Sequence, residues 1–214
     1  MGVGDMGRTV TEFWWSPVTE GTPALIVTAV FFAIGGLTGC FSALRTSDVG
    51  ANAMSAYLDQ FLTVAQVGGL ETPAWGEFLW RSLRWQLGAV LCGFTALGLL
   101  AVPFLCSLRG FFLAFSVASF ARSFGQSGLG LAFLLLGIPG CLTIPAFFVL
   151  STQSLSASLA LAIRTGGQGR RELPYGREYF LRCGVCATAV GFGLLAERYL
   201  VPHLVVSFAG VLLN

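Results

Sequence analysis

From Pro23 onward the chain alternates long apolar stretches with short polar ones. Several of these stretches exceed the roughly 18 apolar residues that mark a membrane-spanning helix. The pattern predicts spans at 23–44, 86–105, about 106–124, about 129–163 and 180–199. In lipid the backbone must satisfy its own hydrogen bonds, so such runs form helices. The expected fold is all-α: a polytopic membrane helical bundle of about five transmembrane helices. Gly35, Gly36 and Gly39 give the first span a small-residue face that admits a second helix closely. Between the second and third spans, Cys106-Ser107-Leu108-Arg109-Gly110 reads as a tight turn. Phe111 to Phe124 then forms a short segment closed by Gly125-Gln126-Ser127-Gly128. It crosses the hydrocarbon core only if it extends back through Cys106 or tilts, and a re-entrant half-helix is the alternative.

The fourth stretch, Leu129 to Ile163, contains no Asp, Glu, Lys or Arg. Its middle, Gly137-Ile138-Pro139-Gly140-Cys141-Leu142-Thr143-Ile144-Pro145-Ala146, should break the helix. A proline removes a backbone donor and presses on the carbonyl one turn back. Freed polar groups are tolerated at membrane depth only under cover of protein or water. The segment is therefore expected at the centre of the bundle, with Pro139, Gly140 and Pro145 forming a structural break. Beyond it, Ser151, Ser154 and Ser158 share a helix face with Gln153 beside them. Such groups either hydrogen-bond a neighbouring helix or line a polar cavity.

The polar segment Arg45 to Arg84 carries a different period. Met54, Tyr57, Leu58, Phe61, Leu62 and Ala65 recur at three- and four-residue steps, with Asp59, Gln60, Thr63 and Gln66 between them. This is the pattern of an amphipathic interfacial helix. Tyr57, Leu58, Phe61 and Leu62 would supply its apolar face, either as a partner surface or as packing that caps the bundle. Trp75 to Trp85, with Arg81 and Arg84, suits the membrane interface and leads into the next span. Phe13, Trp14 and Trp15 fit either the headgroup level or a short surface helix.

Composition agrees: 55% of residues are hydrophobic and 10% charged, against roughly 25% charged in soluble domains. A net charge of +2 gives no footprint for nucleic acid. All twelve basic residues are arginines. The six cysteines lie mostly in apolar runs, where Cys acts as a small hydrophobe. Cys183-Gly-Val-Cys186 lacks the two further ligands a zinc site needs. No metal or cofactor is expected. The first apolar run lacks a basic leader and reads as a retained span. The chain divides into a polar segment at 1–22, a transmembrane domain at 23–205 and an apolar tail at 206–214.

One acid sits near the end of the last span, in Ala196-Glu197-Arg198-Tyr199. A carboxylate at membrane depth costs a few kcal/mol unless it is paired, protonated or near the interface. Glu197 with Arg198 is either an ion or proton site or an interfacial anchor. The apolar turns before it put the interface close and favour the anchor. Counting spans puts the N-terminus in the cytoplasm, loop 45–84 outside and loop 164–182 inside. Seven arginines then lie inside, Arg109 among them, and five outside, in line with the positive-inside tendency.

In this order, several blocks resemble the stage II sporulation protein M family. They are Tyr57-Leu58-Asp59-Gln60-Phe61 and Leu99-Leu100-Ala101-Val102-Pro103-Phe104 followed by Leu108-Arg109-Gly110-Phe111-Phe112-Leu113-Ala114-Phe115-Ser116. The Leu-Gly-Ile-Pro … Ile-Pro-Ala-Phe stretch from Leu136 to Phe147 comes next, then Ala196-Glu197-Arg198-Tyr199-Leu200-Val201-Pro202. The resemblance spans roughly 23 to 205. It implies a multi-pass cell-membrane protein without catalysis of its own. The implied role is a scaffold for two membrane-anchored peptidoglycan hydrolases, a lytic transglycosylase and an amidase, during septal thinning and engulfment. Some distant members carry His or Glu between the two prolines, where this chain offers only Thr143. The lipid bilayer is the other expected partner, and self-association stays open.

Two other classes compete. A transporter or channel subunit with a cavity at the broken helix would need polar groups at the break. An intramembrane enzyme would need a nucleophile–base pair or two aligned acids. The single histidine, His203, lies beyond the last span, which argues against an enzyme.

Overall fold

The computed structural model describes residues 22–46, 75–165 and 176–201, with isolated positions at 56, 60 and 204. All elements in these residues are helical. The N-terminal segment, the apolar tail and the face expected from Tyr57, Leu58, Phe61 and Leu62 lie outside the described residues.

Helix α1 covers Thr22–Arg45 and α2 covers Trp75–Gly93. Helix α3 is Gly98–Ser123, and α4 is the long run Gly128–Arg164. Helix α5 begins at Arg177 and runs as α-helix to Leu195. The turn expected at 125–128 is present. Gly125 adopts φ 59°, ψ −132°, a conformation open to glycine that costs residues with a Cβ about 1–3 kcal/mol.

The turn expected at Cys106–Gly110 is not there. Those residues are helical, and the chain reverses instead at Phe94–Leu97, where α2 ends and α3 begins. Backbone bonds from Thr95 N–H to the Cys92 carbonyl (3.2 Å) and from Gly98 N–H to the Thr95 carbonyl (3.1 Å) close that turn. The expected spans at 86–105 and 106–124 are thus redrawn as α2 and α3.

Among the described residues four helices (α1, α3, α4 and α5) are long and apolar enough to cross a membrane. Packing supplies a fifth crossing. A side chain at Gly35 would strike the Ser107 carbonyl, one at Gly39 the Phe111 carbonyl, and one at Gly110 the Phe32 carbonyl. Further along, the Arg122 guanidinium donates to the carbonyls of Ala43 (2.9 Å), Leu44 (3.3 Å) and Thr46 (2.8 Å). Numbering rises together on both helices, so α1 and α3 are parallel. The chain between them must therefore return across the membrane.

Helix α2 makes that return, antiparallel to α3. Gly88 lies against Leu105, and Trp85 meets Phe112 with ring centroids 6.0 Å apart. Its 19 residues span about 28 Å, close to the ~30 Å hydrocarbon core.

Helix α4 is the centre of the bundle, touching each of the other helices. Ala89, Val102, Cys106, Phe147 and Leu155 form one buried cluster. Ala146, Leu150, Cys186, Val190 and Leu194 form another between α4 and α5. At 37 residues α4 is about 55 Å long, so it outruns the core of the bilayer.

An intramembrane cavity between two bulged helices

The helix does not break at Pro139. The π-turn Phe133–Gly137 lies just before it, and α-helix resumes from Ile138 to Thr165 with Pro145 inside. A second π-turn occupies Ala196–Leu200 at the end of α5. Both turns have the same sequence logic. Ile138 N–H bonds the Phe133 carbonyl and is followed by Pro139; Val201 N–H bonds the Ala196 carbonyl and is followed in sequence by Pro202. One extra residue in the turn moves the carbonyl that the proline ring would otherwise strike. In the first turn Ile138 is committed to Phe133 and Pro139 has no N–H, so the Leu134 carbonyl has no intrahelical donor.

The two bulges meet at one cavity of about 150 Å³. Its lining includes Arg109 and Ser116 of α3, Pro139, Gly140 and Thr143 of α4, and Glu197 of the second π-turn. Residues singled out in the sequence at two places, Pro139 and Gly140 on α4 and the terminal acid Glu197, thus share a site. Pro145 faces outward on α4 and Arg198 does not line the cavity.

Arg109 is the residue that sequence reading misplaced. It is the twelfth residue of a 26-residue span, which puts it near the middle of the membrane rather than in a loop. Its guanidinium lies 5.5 Å from the Trp85 ring, and Arg84 approaches the same ring at 5.5 Å. An arginine over an aromatic face is attracted by the ring quadrupole. Apolar runs on both sides of Arg109 were the available signal for a continuous helix. Glu197 shares the cavity with Ser116, seven residues before the end of α3. On α5, a side chain at Gly193 would meet Thr143 and the Pro139 carbonyl, and Val201 clusters with Leu131, Phe120 and Leu135. Glu197, between them, sits level with the Ser116 end of the cavity, about 10 Å inside the end of α3.

The hydroxyls in the cavity wall are held by their own helices. Ser116 Oγ donates to the Phe112 carbonyl (2.8 Å), and Thr143 Oγ1 to the Pro139 carbonyl (3.0 Å). Each keeps lone pairs for other donors. Phe112, Leu113, Leu135 and Leu136 complete apolar walls.

The polar face of α4 binds neighbouring helices at some positions and leaves others, Ser154 Oγ among them, buried without a hydrogen-bond partner. Ser158 Oγ donates to the Cys92 carbonyl of α2 (3.2 Å), and Gln153 Nε2 to the Tyr179 carbonyl of α5 (3.1 Å). Ser154 sits where a side chain on Gly93 would be, 2.8 Å from its ideal Cβ. Among the described residues no group of three or more His, Cys, Asp or Glu could hold a metal ion.

These features define an α-helical, multi-pass membrane protein with charged side chains lining a cavity in its bundle. A family model for stage II sporulation protein M matches residues 28–202, and the chain belongs to that family. It is a sporulation-related membrane protein, of a family not known as catalytic. Comparison with curated proteins and with solved structures gives no match.

Proposed function

We propose that this protein is a non-catalytic membrane scaffold that holds peptidoglycan hydrolases, a lytic transglycosylase and an amidase, while septal wall is thinned during engulfment. Family membership over residues 28–202 carries this reading. The bundle suits a scaffold because its helix pairs are fixed by backbone-to-backbone approach, as at Gly35, Gly39 and Gly110. With five crossings among the described residues, Thr22 and Val201 fall on opposite sides. The end holding the N-terminus and loop 165–176 collects Arg8, Arg164, Arg170, Arg171, Arg177 and Arg182, and by the positive-inside tendency it is cytoplasmic. Arg109 leaves the loop count, since it sits in α3. Segment 46–74, with Tyr57, Leu58, Phe61 and Leu62, then faces outward and is the contact for the hydrolases.

The cavity beside the π-turn of α4 favours a second reading, a transporter or channel subunit, because it brings Arg109 and Glu197 to Pro139 and Gly140. A mild-detergent pull-down from sporulating cells separates the two. Recovery of hydrolases, lost when residues 54–66 are scrambled, supports the scaffold. Recovery of a nucleotide-binding ATPase and no hydrolase supports the transporter subunit.

A further inference from the structure

The cavity is bipolar. A guanidinium and a carboxylate line one space of about 150 Å³ together with apolar side chains. A void of that volume accepts a group the size of benzene. The charges are also ordered along the membrane normal. Arg109 lies near mid-depth, and Glu197 lies closer to the end where α3 finishes. Charged groups held at this depth mark functional sites more often than packing, and π-turns recur at such sites.

We propose that this cavity binds a small zwitterionic group, with its phosphate at Arg109 and its primary ammonium at Glu197. Arginine matches phosphate oxygens with a planar pair of donors. A primary ammonium brings three N–H donors, which suit the Glu197 carboxylate and the open lone pairs on Ser116 and Thr143. The polarity matches an aminophospholipid entering sideways from the leaflet at that end: its phosphate is the inner charge and its ammonium the outer one. Phe112, Leu113, Leu135 and Leu136 then face the apolar side of the group. A free phosphoethanolamine-like solute carries the same two charges and is the other source.

The test is native mass spectrometry of the full chain, purified in detergent and mixed with equal amounts of phosphatidylethanolamine and phosphatidylglycerol. O-phosphoethanolamine is titrated separately. Phosphatidylethanolamine is expected to be retained about tenfold over phosphatidylglycerol, with the preference lost in Glu197→Gln, as follows when one charged contact of an enclosed ligand is removed. Binding of O-phosphoethanolamine without retention of the lipid assigns the same site to the solute. Equal retention of both lipids with no binding of O-phosphoethanolamine overturns the proposal. So does a lipid preference unchanged in Glu197→Gln, or no retention of any probe. Glu197→Gln is compared only at an unchanged size-exclusion profile. Arg109→Gln should weaken both lipids, and if it does not fold, the comparison of lipids on the unmodified chain still decides.

Discussion

Helix α3 meets two different environments on its two sides. Against α1 the interface is dry and made of backbone, with Gly35 and Gly39 against the Ser107 and Phe111 carbonyls and Gly110 against Phe32. Toward α4 and α5 the same helix presents Arg109 and Ser116 to a cavity between two π-turns. Small residues let helices associate in lipid through contact alone, where no hydrophobic effect drives them together. Charges at depth demand the reverse: space, and polar company. The tight interface can therefore fix α3 in place while its other face holds an otherwise unfavourable group.

The largest expected effect comes from filling the dry side. Gly110→Leu places a side chain against the Phe32 carbonyl and Gly36. Since fixed backbone is the obstacle, the cost should exceed the ~1–3 kcal/mol of ordinary overpacking. Little folded protein should survive extraction, read as loss of the monodisperse size-exclusion peak. Next comes the cavity side: Arg109→Leu should cost about 2 kcal/mol, below the ~3–5 kcal/mol for breaking a fully buried pair because the residue is only half-buried. Combined with Glu197→Leu, the total should fall short of the sum of the single changes in unfolding titrations, and strict additivity would separate the two charges.

A smaller loss, about 1 kcal/mol, is expected for Arg122→Ala, which frees the carbonyls of Ala43, Leu44 and Thr46 at the end of α1. Ser158→Ala removes one bond to the Cys92 carbonyl and should cost only about 0.6 kcal/mol. Both are measured by the same unfolding titration.

Much of this architecture was legible in the sequence because lipid leaves few options. The apolar runs gave the all-α class and the central place of α4, and Gly125–Gly128 marked a real turn. The small-residue face at Gly35 and Gly39 found its partner within the same chain. Two local rules failed for physical reasons. Arg109-Gly110 looked like a turn, yet Gly110 is there so that α1 can approach, and Arg109 has Trp85 and the cavity to accept it. The true reversal at Phe94-Thr95-Ala96-Leu97 is marked only by Gly93 and Gly98 on either side, which look no different from the other glycines of the spans. Pro139 signalled a break, but a π-turn absorbs the proline and keeps the helix continuous. Helix α2 carries Glu77, Arg81 and Arg84 and falls below the hydropathy of a span. Only the parallel packing of its neighbours marks it as the return crossing.

The contrast across α3 is tested most directly by cysteine accessibility in a chain whose six native cysteines have been replaced. Leu113→Cys and Ser116→Cys should react with a small hydrophilic methanethiosulfonate reagent in intact membranes, while Ser107→Cys should stay unreactive. Equal reactivity on both sides of α3, or none at 113 and 116, would contradict a helix that is sealed on one side and polar on the other.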